Sequence, residues 1–235
     1  HKTPDKARIR AMTELPHRKI RSFVRRPGRV TSAQRRALKD LTPLWCLSIR
    51  EQIDMSKTFG RNSPRVLDIG FGDGEALVTL AVNNPDVDYL GIEVHEPGIG
   101  HLLLLLQRAG IKNVRIIQHD AVEVIEEMLM DHQFDVVNMF FPDPWPKKRH
   151  HKRRLIQPLF IHNIGRILRS NGVLHIATDW KDYALHIKNV LSENKKFTEI
   201  SYNENDSLLQ RPPTKFERRG KRLGHITTDL LYRLI

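Results

Sequence analysis

The sequence predicts an α/β fold organised on a mostly parallel sheet. Three observations carry the prediction. From Arg65 onward, short runs rich in Val, Ile and Leu recur, apolar at successive positions as in strands buried on both faces. Between them lie segments whose apolar residues repeat at helical spacing, so strands alternate with helices as in βαβ units. The first strand also runs into a glycine-rich turn, Gly70-Phe71-Gly72-Asp73-Gly74, which opens the first of these helices.

Residues 1–30 read as a basic, mobile arm interrupted by Pro4, Pro16, Pro27 and Gly28. Residues 31–60 form an N-terminal helical segment. Thr31 or Ser32 caps it, and Leu38, Leu41, Leu44, Trp45 and Ile49 recur along it at helical spacing, with Trp45 in the core. Residues 61–235 form the main domain. Its strands are Arg65–Gly70, Asp88–His95, Val114–Asp120, Phe134–Phe141 and, after the turn Asn171-Gly172, Val173–Thr178. The helices between them are Glu75–Val82, closed by Asn84-Pro85, Pro97–Ala109, stopped by Gly110, and Ala121–Met130. Pro158 suits a first helical turn, and Tyr183–Leu191 is helical. Phe197–Tyr202 and Asp229–Leu234 close the sheet as two further strands.

With 235 residues the chain suits one domain with an appendage, at roughly 100–200 residues per domain. A hydrophobic content of 40% excludes a wholly disordered chain. No apolar run approaches the ~18–20 residues that would span a bilayer, and the basic opening does not read as a secretory signal. Cys46 is the sole cysteine, which excludes an internal disulfide framework and fits a reducing cytoplasm. The net charge of +12 is unevenly spread. Residues 1–36 carry 12 basic and 2 acidic side chains, whereas residues 62–146 carry 4 basic and 14 acidic ones. Lys147 to Arg154 reads KKRHHKRR, and Arg211 to Arg222 holds six basic residues against Glu217. An acidic middle flanked by three basic segments points to a polyanion, most simply nucleic acid. The basic runs lack an apolar opposite face, so no membrane partner is expected.

The glycine turn lets a ligand approach the backbone closely. It reads G-x-G-x-G with Glu75 next, so the dinucleotide pattern G-x-G-x-x-G is not met, and Asp73 and Glu75 would repel a pyrophosphate. Glu93 ends the second predicted strand at a spacing suited to ribose hydroxyls. Asp120 ends the third, where a carboxylate can meet an adenine amino group. Asp68 lies within an apolar strand and needs a partner there, such as a cationic ligand group or backbone N–H donors. This set resembles the class I S-adenosylmethionine-dependent methyltransferases, whose cofactor carries a sulfonium and an ammonium.

After the fourth strand, Phe140-Phe141-Pro142-Asp143-Pro144-Trp145-Pro146-Lys147 forms a turn made rigid by three prolines, which aims Asp143 at the same sheet edge. The turn is similar in position to the D/N-P-P-[YF] loop of amino-group methyltransferases. Trp145 offers a flat surface for a base. Asp179 ends the fifth strand, and Thr214-Lys215-Phe216-Glu217-Arg218-Arg219-Gly220 has the mixed chemistry of a substrate-contacting loop. No cluster of metal ligands appears, and no metal is expected. His150 and His151 lie within the basic run.

Together, LDIGFGDG, GIEVH, PDPWPKKRHHKRR, TDW and TKFERRG, in this order, resemble the bacterial tRNA (guanine-N(7)-)-methyltransferase family from about Ile20 to Leu231. The resemblance implies a Rossmann-like, seven-stranded methyltransferase sheet with helices on both faces. It implies S-adenosylmethionine as donor, and a guanine of the tRNA variable loop as acceptor. Asp68, Gly70, Gly72, Gly74, Glu93, Asp120 and Asp143 would bind the cofactor, with Asp143 also catalytic. Lys147, Asp179, Thr214, Lys215, Phe216 and Glu217 would meet the substrate, and Arg149, His150, His151, Lys152, Arg153 and Arg154 the RNA. Rival readings are a methyltransferase acting on an amino group, an RNA-binding module on an inactive methyltransferase fold and, more distantly, a nicotinamide-dependent reductase. Product identity and cofactor binding separate them. The sequence leaves monomer or homodimer open.

Overall fold

The computed structural model describes residues 21–23, 28–49, 52–203 and 206–235, and the side chains of Lys215, Phe216 and Lys221 are not described. Most of the predicted N-terminal arm, residues 1–20 and 24–27, therefore lies outside the described residues.

Five strands run parallel: β1 (Arg65–Ile69), β2 (Asp88–Glu93), β3 (Val114–Gln118), β4 (Phe134–Phe140) and β5 (Leu168–Thr178). β6 (Phe197–Ile200) and β7 (Thr228–Leu234) follow, and β7 lies antiparallel between β5 and β6. Among the described residues the seven form one sheet in the order β3-β2-β1-β4-β5-β7-β6. The expected α/β, mostly parallel sheet is thus present. Its chain winds outward from β1 to β3, then returns to place β4 on the other side of β1. That reversal opens a crevice at the carboxyl ends of β1 and β4.

Successive residues of each strand face opposite layers, which is why the runs are apolar throughout. Val66, Tyr89, Val114, Val136 and Val173 face one core. It is closed by α1 (Ser32–Trp45), α3 (Glu75–Asn83) and α4 (Glu96–Ala109). Leu67, Leu90, Ile117, Val137 and Leu174 face the other core. That layer holds Met55 of α2 (Met55–Phe59), the segment from Ala121 to Met128, α6 (Pro158–Ile167) and α7 (Lys181–Ser192).

The N-terminal helical segment is built into this body. Thr31 caps α1 in a capping box with Gln34. The Trp45 indole N–H donates to the Ile111 carbonyl at 3.0 Å, so Trp45 packs with the core, as expected. Buried Gln133 fastens the segment to the sheet: its side chain accepts the Met55 N–H at 2.7 Å and donates to the Ile53 carbonyl at 3.0 Å.

Three local expectations need correction. Asn171-Gly172 does not separate helix from strand: β5 begins at Leu168, directly after α6, and the register with β4 shifts between Phe134 and Val136. Asn171, at φ 63°, takes up that irregularity inside the strand. The helix after Asp120 is α-helical only over Ala121–Glu123 (α5) and π-helical over Val124–Met128. The predicted loop at Thr214 is instead the start of a helix, α8 (Lys215–Arg222).

Gln133→Ala leaves a buried backbone N–H and a buried carbonyl without their partner. It is expected to lower stability by about 1–3 kcal/mol, measured as the shift of the denaturant midpoint at constant slope.

Candidate active site

Two adjoining hollows lie at the carboxyl ends of the strands. The larger, of about 340 Å³, is lined by Gly70, Gly72, Glu93, Asp120, Phe141 and Asp143 among others. The smaller, of about 80 Å³, is lined by Asp68, Asp73, Ala76 and Thr214, and shares Gly70, Gly72, Phe140 and Phe141 with its neighbour. A roomier cavity of about 490 Å³ lies elsewhere, between Arg61, Asp88 and Asn113. There Asp88 is engaged by Arg61 and Ser63, and the Asn113 amide by three carbonyls.

Gly70 and Gly72 have φ of 73° and 63°, which side-chain-bearing residues rarely adopt, and a Cβ on either would meet nothing within 4 Å. Their backbone therefore faces open space on the cavity side. A Cβ on Gly98, in the first turn of α4, would sit 2.1 Å from the Gly72 carbonyl oxygen. Helix α4 thus rests directly on the turn. The only local trace of this contact in the sequence is a glycine inside a predicted helix, which costs stability unless packing requires it.

Glu93, 8% exposed, pins the turn from the other side. One carboxylate oxygen accepts the Gly72 N–H at 3.0 Å, and the other accepts the N–H groups of Val94 at 2.7 Å and His95 at 3.0 Å. Asp120 caps α5, accepting the Val122 N–H at 3.0 Å. Asp68 is buried inside β1, beside Asn138 of β4, which in turn pairs with His175 of β5. Burial, helped by the charge of Glu93, pushes the Asp68 carboxyl up to about 7.

The chain leaves β4 under strain. Phe141 and Trp145 have φ of 55° and 44°, and the Phe141 N–H donates to the Ala177 carbonyl at 2.7 Å. Asp143 stands exposed on the rim of the larger cavity. Trp145 does not lie open as a platform. Its indole N–H donates to the Ser22 carbonyl at 3.0 Å, His150 meets it edge-on at 5.8 Å, and the Arg153 guanidinium lies 5.1 Å from its ring centre. Ser22 and Phe23 then line the cavity. No local sequence pattern joins Ser22 to a tryptophan 123 positions away.

The basic run forms a 3-10 helix, Lys148–Arg153, and divides by exposure. Lys147, Lys148, Arg149 and Lys152 are exposed, and His150, His151 and Arg153 are half-buried. Arg154, grouped above with the RNA contacts, points inward with its side chain 2% exposed. Its guanidinium donates to the Pro144 carbonyl at 2.9 Å, pairs with Asp182 and lies 5.0 Å from the Tyr183 ring centre. It braces the Asp143 turn from within.

Helix α8 gathers the C-terminal candidates. The Thr214 hydroxyl accepts the Glu217 N–H at 3.1 Å and so caps the helix. Glu217 is buried against Arg211, with contacts of 2.5 and 3.2 Å. Arg218 reaches Glu75 of α3 at 2.9 Å. Asp179 lies 3.1 Å from His225 Nδ1 and beside Gly220 of the helix. Lys215 and Phe216 lie in its first turn. Among the described residues no group of His, Cys, Asp or Glu could hold a metal ion, and no helix is long and apolar enough to cross a membrane.

Comparison with known proteins identifies the family. Residues 62–230 match a family described as putative methyltransferases. The chain is 50% identical to a tRNA (guanine-N(7)-)-methyltransferase of Halorhodospira halophila, over 92% of this chain and 96% of that protein. It is 48% identical to one of Burkholderia vietnamiensis, over 98% of this chain and 91% of that protein. Among solved structures it resembles the 16S rRNA methyltransferase KamB in fold, with a TM-score of 0.57 and 15% identity, over 80% of this chain and 96% of that one.

Buried Asp68 makes stability depend on pH. Its folded value of about 7 stands above the unfolded 3.8, so the folded state holds the proton more tightly. The associated stability is complete below pH ~4 and is lost as pH rises to about 7. Asp68→Asn removes the dependence. The variant is expected to gain on the parent protein as pH rises from 4 to 8, by up to roughly 4 kcal/mol, read from denaturation midpoints at each pH. Parallel curves for the two proteins would show that Asp68 is ionised throughout.

Proposed function

This chain belongs to the tRNA (guanine-N(7)-)-methyltransferases, and we propose that it transfers the methyl group of S-adenosylmethionine to ring nitrogen 7 of a guanine in the tRNA variable loop. The observation that carries the reading is one shared wall. Gly70, Gly72, Phe140 and Phe141 line both a cavity ringed by carboxylates and a hollow that reaches Thr214, at the head of α8. Donor and acceptor meet where the two hollows join.

The cavity suits the donor. Gly70 and Gly72 present bare backbone, Glu93 offers a carboxylate for the ribose hydroxyls and Asp120 one for the adenine amino group. Asp68 lies beneath as counter-charge for an ammonium. When bound, S-adenosylmethionine supplies an electrophilic methyl group on a sulfonium. Ring nitrogen 7 of guanine already has an exposed lone pair and needs no base to deprotonate it. The protein's main task is therefore alignment of that nitrogen. Asp143, on the cavity rim, places negative charge where the purine ring becomes positive. Lys147, Asp179 and the Thr214–Glu217 segment hold the guanine. Arg149, His150, His151, Lys152 and Arg153 take phosphates, which fixes the register of the RNA without reading sequence. A reaction between tRNA and S-adenosylmethionine belongs in the cytoplasm.

Two experiments test the reading. Incubation with unmodified tRNA and methyl-labelled S-adenosylmethionine, followed by digestion, is expected to place label in 7-methylguanosine. Label in another nucleoside would overturn the acceptor. Asp143→Ala is expected to cut kcat by at least ~100-fold, the range of one lost electrostatic stabiliser. Near-normal single-turnover rates would remove Asp143 from the chemistry.

A further inference from the structure

We propose that Arg211 is a positioning residue for the methyl acceptor, holding the Glu217 carboxylate in a fixed orientation on α8. The inference rests on the reading that Glu217 meets the guanine. Arg211 lies in the segment between β6 and α8, and its side chain is 9% exposed. All three guanidinium nitrogens are engaged by two carboxylates. Nη1 and Nη2 meet the two oxygens of Glu217 at 2.5 and 3.2 Å, and Nε and Nη2 meet those of Asp229 at 2.7 and 3.0 Å.

Each pair is a fork, and a fork fixes the plane of a carboxylate as well as its position. Asp229 is itself held, because His175 Nε2 of β5 lies 2.9 Å from its Oδ1. His175 is fully buried. Burial pushes the Asp229 carboxyl up, but the hydrogen bonds from His175 and Arg211 outweigh it and hold the group at about 2. The chain His175–Asp229–Arg211–Glu217 thus runs from the middle of the sheet to the first turn of α8 through hydrogen-bonded polar side chains. The guanidinium also lies 5.7 Å from the ring centres of both Phe140 and Phe141, the wall shared by the two hollows. The acceptor helix is therefore referenced to the same two rings that bound the donor cavity. Lysine could not substitute, since a point charge orients neither carboxylate.

The test compares Arg211→Ala, Glu217→Gln and the pair Arg211→Met with Glu217→Gln, each checked for folding by circular dichroism and thermal melting. Arg211→Ala is expected to lower kcat on tRNA by about 100-fold, as a misplaced binding group does, with the Kd for S-adenosylmethionine changed less than about threefold. Millimolar guanidinium is expected to restore part of that kcat, and urea, its neutral analogue, none. The paired variant removes both charges together. It is expected to fold and to be no slower than Glu217→Gln alone, because the two residues act as a unit. If Arg211→Ala keeps its kcat while Glu217→Gln loses it, Arg211 is no positioning residue and the role of Glu217 stands. If Glu217→Gln also turns over normally, the reading of Glu217 fails and this inference with it. A cofactor Kd that rises as far as kcat falls would place the effect in the donor cavity and overturn the proposal.

Discussion

A parallel strand cannot be followed by a tight hairpin to its parallel neighbour; the chain must cross back over a face of the sheet, usually as a helix. Here the crossovers from β1 lead outward to β3 and then start again at β4, on the other side of β1. Two neighbouring strands thus send their chains in opposite directions, and nothing of the connecting chain can fill the gap between them. The crevice follows from connectivity, before any side chain is chosen. The elements that line it follow the same connectivity: the glycine turn after β1, the carboxylate at the end of β2, the strained exit from β4.

Charge is distributed along the same lines. The floor of the crevice carries Asp68, Glu93 and Asp120, and its margins carry the basic 3-10 helix and α8. A small cationic ligand and a large polyanion can therefore approach one catalytic point without competing for the same charges. The strong pairs do structural work. Arg154 and Arg211, the two basic side chains most withdrawn from solvent among the described residues of their runs, hold the Asp143 turn and the head of α8 respectively. Neighbours such as Arg149 and Lys152 are exposed instead.

Much of this was legible in the residues. The strands, their order along the chain and the carboxylates that follow them show in local patterns, because burial on both faces forces apolar runs and a glycine turn leaves a compositional trace. The resemblance to a known family then assigned roles that pattern alone could not. What stayed hidden depends on contacts between distant positions. Nothing local marks Ser22 as the partner of Trp145, or Arg211 as the partner of Asp229. A run such as KKRHHKRR does not show which of its cations turns inward. The segment TKFERRGKR has too few apolar residues to display helical spacing, so α8 is set by the Thr214 cap and the Arg211 fork. β5 bulges where Asn171-Gly172 imitates the punctuation of a turn.

The contact between Gly98 and Gly72 has a consequence for how this protein can change. The two glycines form a keyed joint, with the first turn of α4 seated on the floor of the binding loop and no room for a methyl group between them. Neither part can be redesigned alone. A loop remodelled to accept a bulkier donor analogue would need a helix that starts elsewhere. A helix stabilised by the usual replacement of glycine with alanine would push the loop out of shape. Change is easier on the other walls of the cavity, at residues such as Ile92, Phe140 and Leu155, where side chains rather than backbone set the boundary.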